Sequence, residues 1–136
     1  MLEWSGRYAI GVSEIDRQHR ELFQTMNRLL NACSQGSGKD VLPEVFDFLG
    51  RYVVEHFATE ERYMEQYDYP ALPMHRKIHQ DFVKTFLGFR EKAEAEGPGL
   101  GLVVQVNQVL VDWLKNHILN VDQEMGKFLQ KKLSHP

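Results

Sequence analysis

The chain has 136 residues, a size that suits one domain with one sizeable core, and we expect residues 1–136 to form that domain. Its net charge of −3 argues against nucleic acid or an anionic membrane as a partner, and no apolar stretch approaches the roughly 20 residues that cross a bilayer. With Cys33 as the single cysteine and no signal-peptide pattern at the start, we expect a cytoplasmic protein without an internal disulfide.

Apolar residues recur every three or four positions along most of the chain, which is the spacing of amphipathic helices. After an irregular N-terminal arm, this spacing predicts four long helices and a short last one, over about residues 16–34, 41–66, 72–95, 100–117 and 123–133. Asp16 suits the N-cap of the first helix, and Cys33 suits a small apolar position in the core near its end.

Glycine- and proline-rich stretches separate the predicted helices, namely SQGSGKD, YDYPALP and EGPGLG. No segment alternates apolar and polar residues over a useful length, so no strand is expected. Short connections between long amphipathic helices favour antiparallel neighbours. The sequence therefore predicts an all-α fold, an up-down-up-down antiparallel four-helix bundle with an N-terminal arm and a short C-terminal helix.

Each of the four long helices also carries polar residues on the face that its apolar residues define. These residues are His19, His56, Glu60, His75, His79 and His117. One inward histidine is more often a hydrogen-bonded core residue than a ligand, but an unpaired buried carboxylate costs on the order of several kcal/mol. Six such groups in one narrow core require a positive charge among them, which a centre of zinc, iron or copper provides. The remaining histidine, His135, lies in the C-terminal SHP, where we expect a frayed tail.

Other metal-binding patterns fit these residues less well. The motif HRKIH lacks the glutamate of the zinc-protease HExxH, because Arg76 occupies its place. Structural zinc uses four ligands, often with cysteine, whereas this chain offers more ligands and one cysteine. Ferritin-type di-iron proteins use mostly carboxylates and a Glu-x-x-His motif on two helices, and the one near match, from Glu14 to Arg17, lacks the histidine. The residues therefore predict a histidine-rich, carboxylate-poor site large enough for two metals.

Four segments together resemble the hemerythrin family, specifically the single-domain bacterial hemerythrins. The segments are IDRQH ending at His19, HFATE over residues 56–60, HRKIH over residues 75–79, and NHILNVD over residues 116–122. The resemblance covers nearly the whole chain, with the segments in the family's order on the expected helices. It implies a pair of iron ions, Fe²⁺ or Fe³⁺, joined by an oxo or hydroxo bridge.

The resemblance also implies which residues hold the two irons. His75, His79 and His117 would bind the first iron, and His19 and His56 would bind the second. Glu60 and Asp122 would bridge the two irons. An open position on the second iron is where O₂ would bind. Leu114 and Ile118 match family positions that line the oxygen pocket, and Trp113 stands one helical turn before His117, although all three also suit plain core packing.

The function that the resemblance implies is reversible O₂ binding, for storage, delivery or buffering, without catalytic residues and therefore without enzymatic activity. Two alternatives stay open. One is a sensor of O₂ or redox state that acts on a partner in trans, since we expect no room in the chain for a signalling module. The other is a di-iron oxidase, a peroxidase or a nitric-oxide-handling enzyme. O₂ is the only partner that the resemblance implies.

One spacing conflicts with a regular helix. His117 and Asp122 are five positions apart, which places them about 140° from each other around an α-helix. If both bind metal, the helix cannot run regularly through residues 119–121. We therefore predict a helix end or a π-type widening there, which turns Asp122 back toward the core.

Overall fold

The computed structural model of the chain describes residues 3–97 and 99–134, except for the side chains of residues 33, 39 and 100. The predictions for the side chain of Cys33 and for His135 lie outside these described residues. Within them the chain is almost entirely helical and contains no strand. The elements are α1 (Ser13–Ser34), α2 (Gly38–Gln66), α3 (Leu72–Glu96), α4 (Leu100–Asn116) and α5 (Gln123–Ser134).

The predicted architecture is confirmed, because α1 to α4 form an up-down-up-down four-helix bundle that an N-terminal arm precedes and α5 follows. The connections at residues 35–37, 67–71 and 97–99 are short, which forces consecutive helices to run antiparallel. The arm contains one 3₁₀ turn, Gly6–Tyr8. Among the helices of the described chain, none combines the length and the apolar character that spanning a bilayer requires.

The predicted start of the first helix is wrong. The helix begins at Ser13, so Asp16 lies inside its first turn rather than at the N-cap. The Asp16 carboxylate instead accepts hydrogen bonds from the backbone N–H groups of Ile10, at 2.8 Å, and Gly11, at 3.2 Å. An acidic side chain at this end of a helix is also favoured by the helix dipole. Asp16 therefore ties the arm to α1, a role that its position in the sequence does not reveal.

The arm also packs closely against α5. The side-chain amide of Gln123 donates to the carbonyl oxygens of Arg7, at 3.0 Å, and Ala9, at 3.1 Å. Gly126 faces Ile10, and a Cβ on this glycine would lie 2.6 Å from the Ile10 carbonyl oxygen. Only a residue without a side chain permits this approach, so Gly126 sets how deeply the arm is seated.

The buried apolar residues form two clusters that occupy different ends of the bundle. The main cluster includes Leu22, Phe57 and Phe82, and the smaller one includes Ile15 and Met64. Along α1, Ile15 of the smaller cluster and Leu22 of the main cluster flank His19. The order is reversed on the antiparallel α2, where Phe57 of the main cluster and Met64 of the smaller one flank Glu60. The polar residues thus form a layer between two apolar clusters, and water is excluded from both sides.

Gly126→Ala should destabilise the protein, because the new Cβ would clash with the Ile10 carbonyl oxygen. We expect the free energy of unfolding in guanidinium chloride to fall by about 1–3 kcal/mol, as is usual for overpacking. Gly88→Ala in α3 is the matched control, because a Cβ there meets nothing within 4 Å. Alanine favours a helix interior over glycine by up to ~1 kcal/mol, so this control should be neutral or stabilising. Equal stability of the two variants would contradict the close approach.

Candidate metal centre

The seven predicted ligand residues come together in the polar layer of the bundle. They are His19 from α1, His56 and Glu60 from α2, His75 and His79 from α3, and His117 and Asp122 from the segment between α4 and α5. All seven are buried, and both carboxylates have no exposed surface. The i, i+4 spacings within α2 and α3 place each pair on one helical face, as their separation in sequence predicts.

Asp122 reaches the layer through a distortion of the helix. His117–Asp122 form one π-helical turn, continuous with α4 before it and α5 after it. In such a turn the hydrogen bonds join residues five apart, so two residues with this separation lie on the same side. The Asp122 Oδ1 and His117 Nε2 atoms are accordingly 3.1 Å apart. The prediction of a π-type widening at this point is confirmed.

The ligand atoms form two groups that share both carboxylates. One group combines His75, His79 and His117 with Glu60 and Asp122, and the other combines His19 and His56 with the same two carboxylates. Within each group, one atom from every residue lies within 4.8 Å of all the others. A group of this compactness can surround one ion.

Glu60 places one oxygen beside each group. Its Oε1 atom lies 3.3 Å from His75 Nε2 and 3.0 Å from His79 Nε2. Its Oε2 atom lies 3.2 Å from His19 Nε2 and 3.1 Å from His56 Nε2. A carboxylate with its two oxygens divided in this way can contact two ions at once.

The two oxygens of Asp122 are also divided between the two histidine groups. Its Oδ1 atom lies 3.1 Å from the Nε2 atoms of both His75 and His117, and its Oδ2 atom lies 3.1 Å from His19 Nε2. In all five histidines, therefore, Nε2 is the nitrogen that faces the carboxylates. The arrangement has three imidazoles on one side of the carboxylate pair and two on the other.

The buried atoms of this cluster fit cations better than they fit one another. Glu60 Oε1, both Asp122 oxygens and His75 Nε2 make no hydrogen bond of acceptable geometry with any described residue. The Nε2 atoms of His79 and His117 face each other at 3.3 Å, where their lone pairs repel unless a proton or a cation lies between them. Neutral imidazole nitrogens and carboxylate oxygens suit iron, zinc and copper. The residues therefore fit a metal site, and an iron site is consistent with them.

Two of the five histidines have outer hydrogen-bond partners that sequence reasoning missed. His56 Nδ1 donates to Gln18 Oε1 at 2.7 Å, and His79 Nδ1 donates to Glu61 Oε2 at 3.0 Å. Each partner sits next to a predicted ligand in the sequence, since Gln18 precedes His19 and Glu61 follows Glu60. Adjacency alone could have suggested them, but which histidine each partner contacts depends on how neighbouring helices are packed.

Aromatic rings hold two of the imidazoles in place. The ring of Phe57 stacks on His79 with centroids 3.8 Å apart and planes within 4° of parallel. The indole of Trp113 stacks on His117 with a centroid distance of 4.4 Å and an interplanar angle of 12°. Stacking of this kind restricts rotation of the imidazole and keeps its Nε2 atom directed at the carboxylates.

An apolar cavity of about 20 Å³ adjoins the cluster. His19, His56 and His117 form its polar edge, and Trp113 and Leu114 are among the apolar side chains that line the rest. This volume exceeds the ~10–15 Å³ that one water requires, yet the apolar walls offer water no hydrogen-bond partners.

Of the three residues predicted for an oxygen pocket, two line this cavity. Trp113 and Leu114 belong to its wall. Ile118 is fully buried in the main apolar cluster and is not among the residues that line the cavity.

The electrostatics of the metal-free cluster follow from burial opposed by close opposite charges. Burial alone lowers the pKa of a histidine, but the Asp122 and Glu60 carboxylates outweigh it and raise the pKa of His19 to about 9. The same two carboxylates outweigh burial at His117 and raise its pKa to about 10. Burial lowers the pKa of His56. Protons thus occupy part of the cluster at neutral pH when no metal does.

The two carboxyl groups stay ionised despite complete burial. Burial raises the pKa of Glu60, but the nearby histidines, His56 foremost, hold that pKa well below its usual range. For Asp122, burial and the Glu60 charge act upward, and His117 and His19 nevertheless keep the pKa well below its usual range. Two full negative charges therefore persist in the core, available to cations.

Comparison with known proteins places the chain among metal-binding helical bundles. A family model described as the hemerythrin HHE cation binding domain matches residues 10–129. The chain is 32% identical over 123 residues to the bacteriohemerythrin of Stenotrophomonas maltophilia, which covers 90% of this chain and 78% of that protein. It is 34% identical over 121 residues to the bacteriohemerythrin of Pseudomonas aeruginosa, which covers 89% and 76% respectively. A solved structure of wild-type hemerythrin superposes with a TM-score of 0.83 at 27% identity, over 95% of this chain and 98% of that chain.

Glu60→Ala should reduce the number of metals bound, because the two oxygens of Glu60 face both histidine groups. We expect anaerobic loading with Fe²⁺ followed by desalting to retain two ions per chain in the unmodified protein and fewer than two in this variant. Glu55→Ala is the matched control, since Glu55 is an exposed glutamate of the same helix. Equal metal counts in the two variants would contradict a bridging role for Glu60.

The stability of the metal-free protein and the stability that bound metal adds should respond to pH in opposite directions. The pKa values of His19 and His117 rise on folding from 6.5 to about 9 and about 10, so their contribution to stability is complete below pH 6.5 and is lost as pH rises through 9 and 10. The free energy of unfolding of the metal-free protein should therefore fall between pH 7 and 9. Metal needs both imidazoles neutral, so the additional stability that metal confers should rise across the same window.

Guanidinium denaturation at pH 7 and at pH 9, with chelator and with saturating Zn²⁺, measures both trends. A metal-free midpoint that rises with pH would contradict the assigned charges. So would a stabilisation by metal that is independent of pH.

Proposed function

We propose that this chain, which belongs to the hemerythrin family, binds O₂ reversibly at two non-haem irons and so stores, delivers or buffers O₂. Membership of the family supports a non-haem iron, O₂-binding role. Reversible binding, as in a carrier, goes beyond this role. The observation that carries it is the apolar cavity at His19 and His56, the histidine group with fewer ligands.

The proposed ligand assignment follows the two groups of the cluster. His75, His79 and His117 would hold one iron, His19 and His56 would hold the other, and Glu60 and Asp122 would contact both. The division of each carboxylate between the groups supports this assignment. When bound, the two ferrous ions together supply the electrons that an O₂ molecule accepts and returns.

The unequal numbers of histidines support a site for O₂ on one side only. The group with His19 and His56 has four protein residues, whereas the other has five. Both histidines of the smaller group line the cavity, whereas of the larger group only His117 does. His75 and His79 are not among the residues that line the cavity. The proposed site for O₂ is therefore the cavity end of the His19 and His56 group.

The chain's own residues would preserve the ferrous state by keeping water away. The cavity walls are apolar, and the layer lies between two apolar clusters. A dry cavity disfavours the escape of charged oxygen species, because such an ion would have to cross the apolar region without hydration before it reached bulk water. Leu114 lies at the cavity wall, close in sequence to His117, and would be one of the residues that exclude water.

A sensor and an enzyme are the alternatives, and they make different demands on the site. An enzyme needs a further acid or base and room for a substrate, and the cavity holds little more than one small molecule. A sensor needs an element that responds to ligand binding. The π turn from His117 to Asp122 joins the cluster to α5 and could serve as such an element, but no described contact identifies a partner.

The iron-loaded protein should change its visible spectrum on admission of O₂ and recover the ferrous spectrum when O₂ is removed. Leu114→Asn should reduce severalfold the number of oxygenation and deoxygenation cycles that the protein completes, because a polar side chain would bring water into the cavity. Leu87→Asn is the matched control, since Leu87 on α3 is 47% exposed and is not among the residues that line the cavity. Irreversible oxidation in the first cycle of the unmodified protein would contradict the carrier function. Catalytic turnover of O₂ would favour the enzyme.

A further inference from the structure

The outward nitrogens of the five histidines differ in their hydrogen-bond partners. Because every Nε2 atom faces the carboxylates, every Nδ1 atom faces away from them. The Nδ1 atoms of His19, His75 and His117 are buried and have no hydrogen-bond partner among the described residues. Those of His56 and His79 each have one partner, and the two partners differ in charge.

The partner of His56 is neutral and is fixed by a chain of hydrogen bonds. The Thr59 hydroxyl donates to the Glu55 carbonyl oxygen at 3.1 Å, so the Thr59 oxygen is left to accept from Gln18 Nε2, also at 3.1 Å. This orients the Gln18 amide and leaves its oxygen to accept from His56 Nδ1. The group with fewer histidines therefore has an uncharged outer contact.

The partner of His79 is the Glu61 carboxylate, and this carboxylate has a counter-charge. Glu61 Oε2 accepts from His79 Nδ1 at 3.0 Å, and Glu61 Oε1 accepts from Arg76 Nε at 2.9 Å. The Glu61 side chain is only 22% exposed, so its charge is less screened than that of a surface glutamate. Arg76 also pairs with Glu65, which is farther out. The result is an ordered line from His79 through Glu61 to Arg76.

The line acts on an imidazole that has little freedom to move. Phe57 stacks on one face of the His79 ring, and the hydrogen bond to Glu61 fixes the ring within its plane. A carboxylate that accepts from the outer N–H of a metal-binding histidine makes the inner nitrogen more basic. A more basic nitrogen stabilises the more highly charged metal. An arginine that also pairs with the carboxylate neutralises part of its charge and so reduces this gain in basicity.

We propose that Glu61 is a positioning residue for His79 that lowers the reduction potential of the metal held by His75, His79 and His117, and that Arg76 sets the size of this effect. The consequence is a difference between the two metals beyond their number of ligands, since His56 has only the neutral amide of Gln18. This inference rests on the proposed pair of metals, but it does not depend on O₂ binding.

Two substitutions separate the effect of charge from that of structure. Glu61→Gln removes the negative charge and should raise the midpoint potential of the iron-loaded protein, measured anaerobically by titration. Arg76→Gln removes the opposing positive charge and should lower it. We expect each change to shift the ratio of oxidised to reduced metal by about tenfold, which for a one-electron couple is about 59 mV.

Asp81→Asn is the matched control, because Asp81 lies on α3 with His79, is 57% exposed and pairs with Lys77. It changes the net charge as Glu61→Gln does and should leave the potential nearly unchanged, since an exposed charge is screened. A loosened structure would shift the potential in the same direction in the Glu61 and Arg76 variants, whereas the proposal requires opposite directions.

A second readout follows the hydrogen bond itself. In the protein loaded with Zn²⁺, the His79 Nδ1–H proton should resonate at lower field in the unmodified chain than in Glu61→Gln, because a charged acceptor deshields it. Two metals per chain with no opposed shifts in potential, or with an unmoved proton resonance, would overturn the role of Glu61 and leave the metal pair intact. Fewer than two metals in the unmodified chain would overturn the proposed function and this inference together.

Discussion

Two buried carboxylates impose the constraint on which the rest of the structure depends. Glu60 and Asp122 have no exposed surface, and both remain ionised in a polar layer that lies between two apolar clusters. Two such charges would unfold a small bundle unless cations or protons compensated them. The five histidines surround the carboxylates closely enough to hold those cations, and they take up protons when cations are absent. The apolar clusters on either side strengthen every charge interaction within the layer, because they keep water out.

The distorted helix after α4 follows from the same constraint. A regular helix would turn Asp122 about 140° away from His117 and leave one side of the cluster without its second carboxylate. A π turn is rare and sacrifices regular hydrogen bonding, so it persists where surrounding contacts favour it. Here the favourable contacts are those of Asp122 with His75, His117 and His19. The distortion also leads directly into α5, whose glycine receives the N-terminal arm. The polar layer is therefore joined to the last helix through the π turn, and the last helix contacts the arm.

Sequence alone predicts the features that depend on periodicity. The four long helices, their antiparallel order and the inward histidines all follow from a repeat of 3.6 residues. Asp122 does not, because this repeat turns it away from His117, and only the resemblance to the hemerythrins implies it as a ligand. Features that depend on packing between helices are different. The contacts of Gln18 with His56 and of Glu61 with His79 cross between helices, so no local pattern specifies them. Asp16 looks like an N-cap because its residue type suits one, yet the arm captures its carboxylate instead.

The central claim is that this core is built around two cations that share Glu60 and Asp122. Anomalous diffraction at the iron absorption edge, from crystals of the chain loaded anaerobically with Fe²⁺, tests it most directly. We expect two anomalous peaks, one bounded by His75, His79 and His117 and the other by His19 and His56. Both carboxylates should contact both peaks. A single peak, or a second peak outside the polar layer, would contradict it.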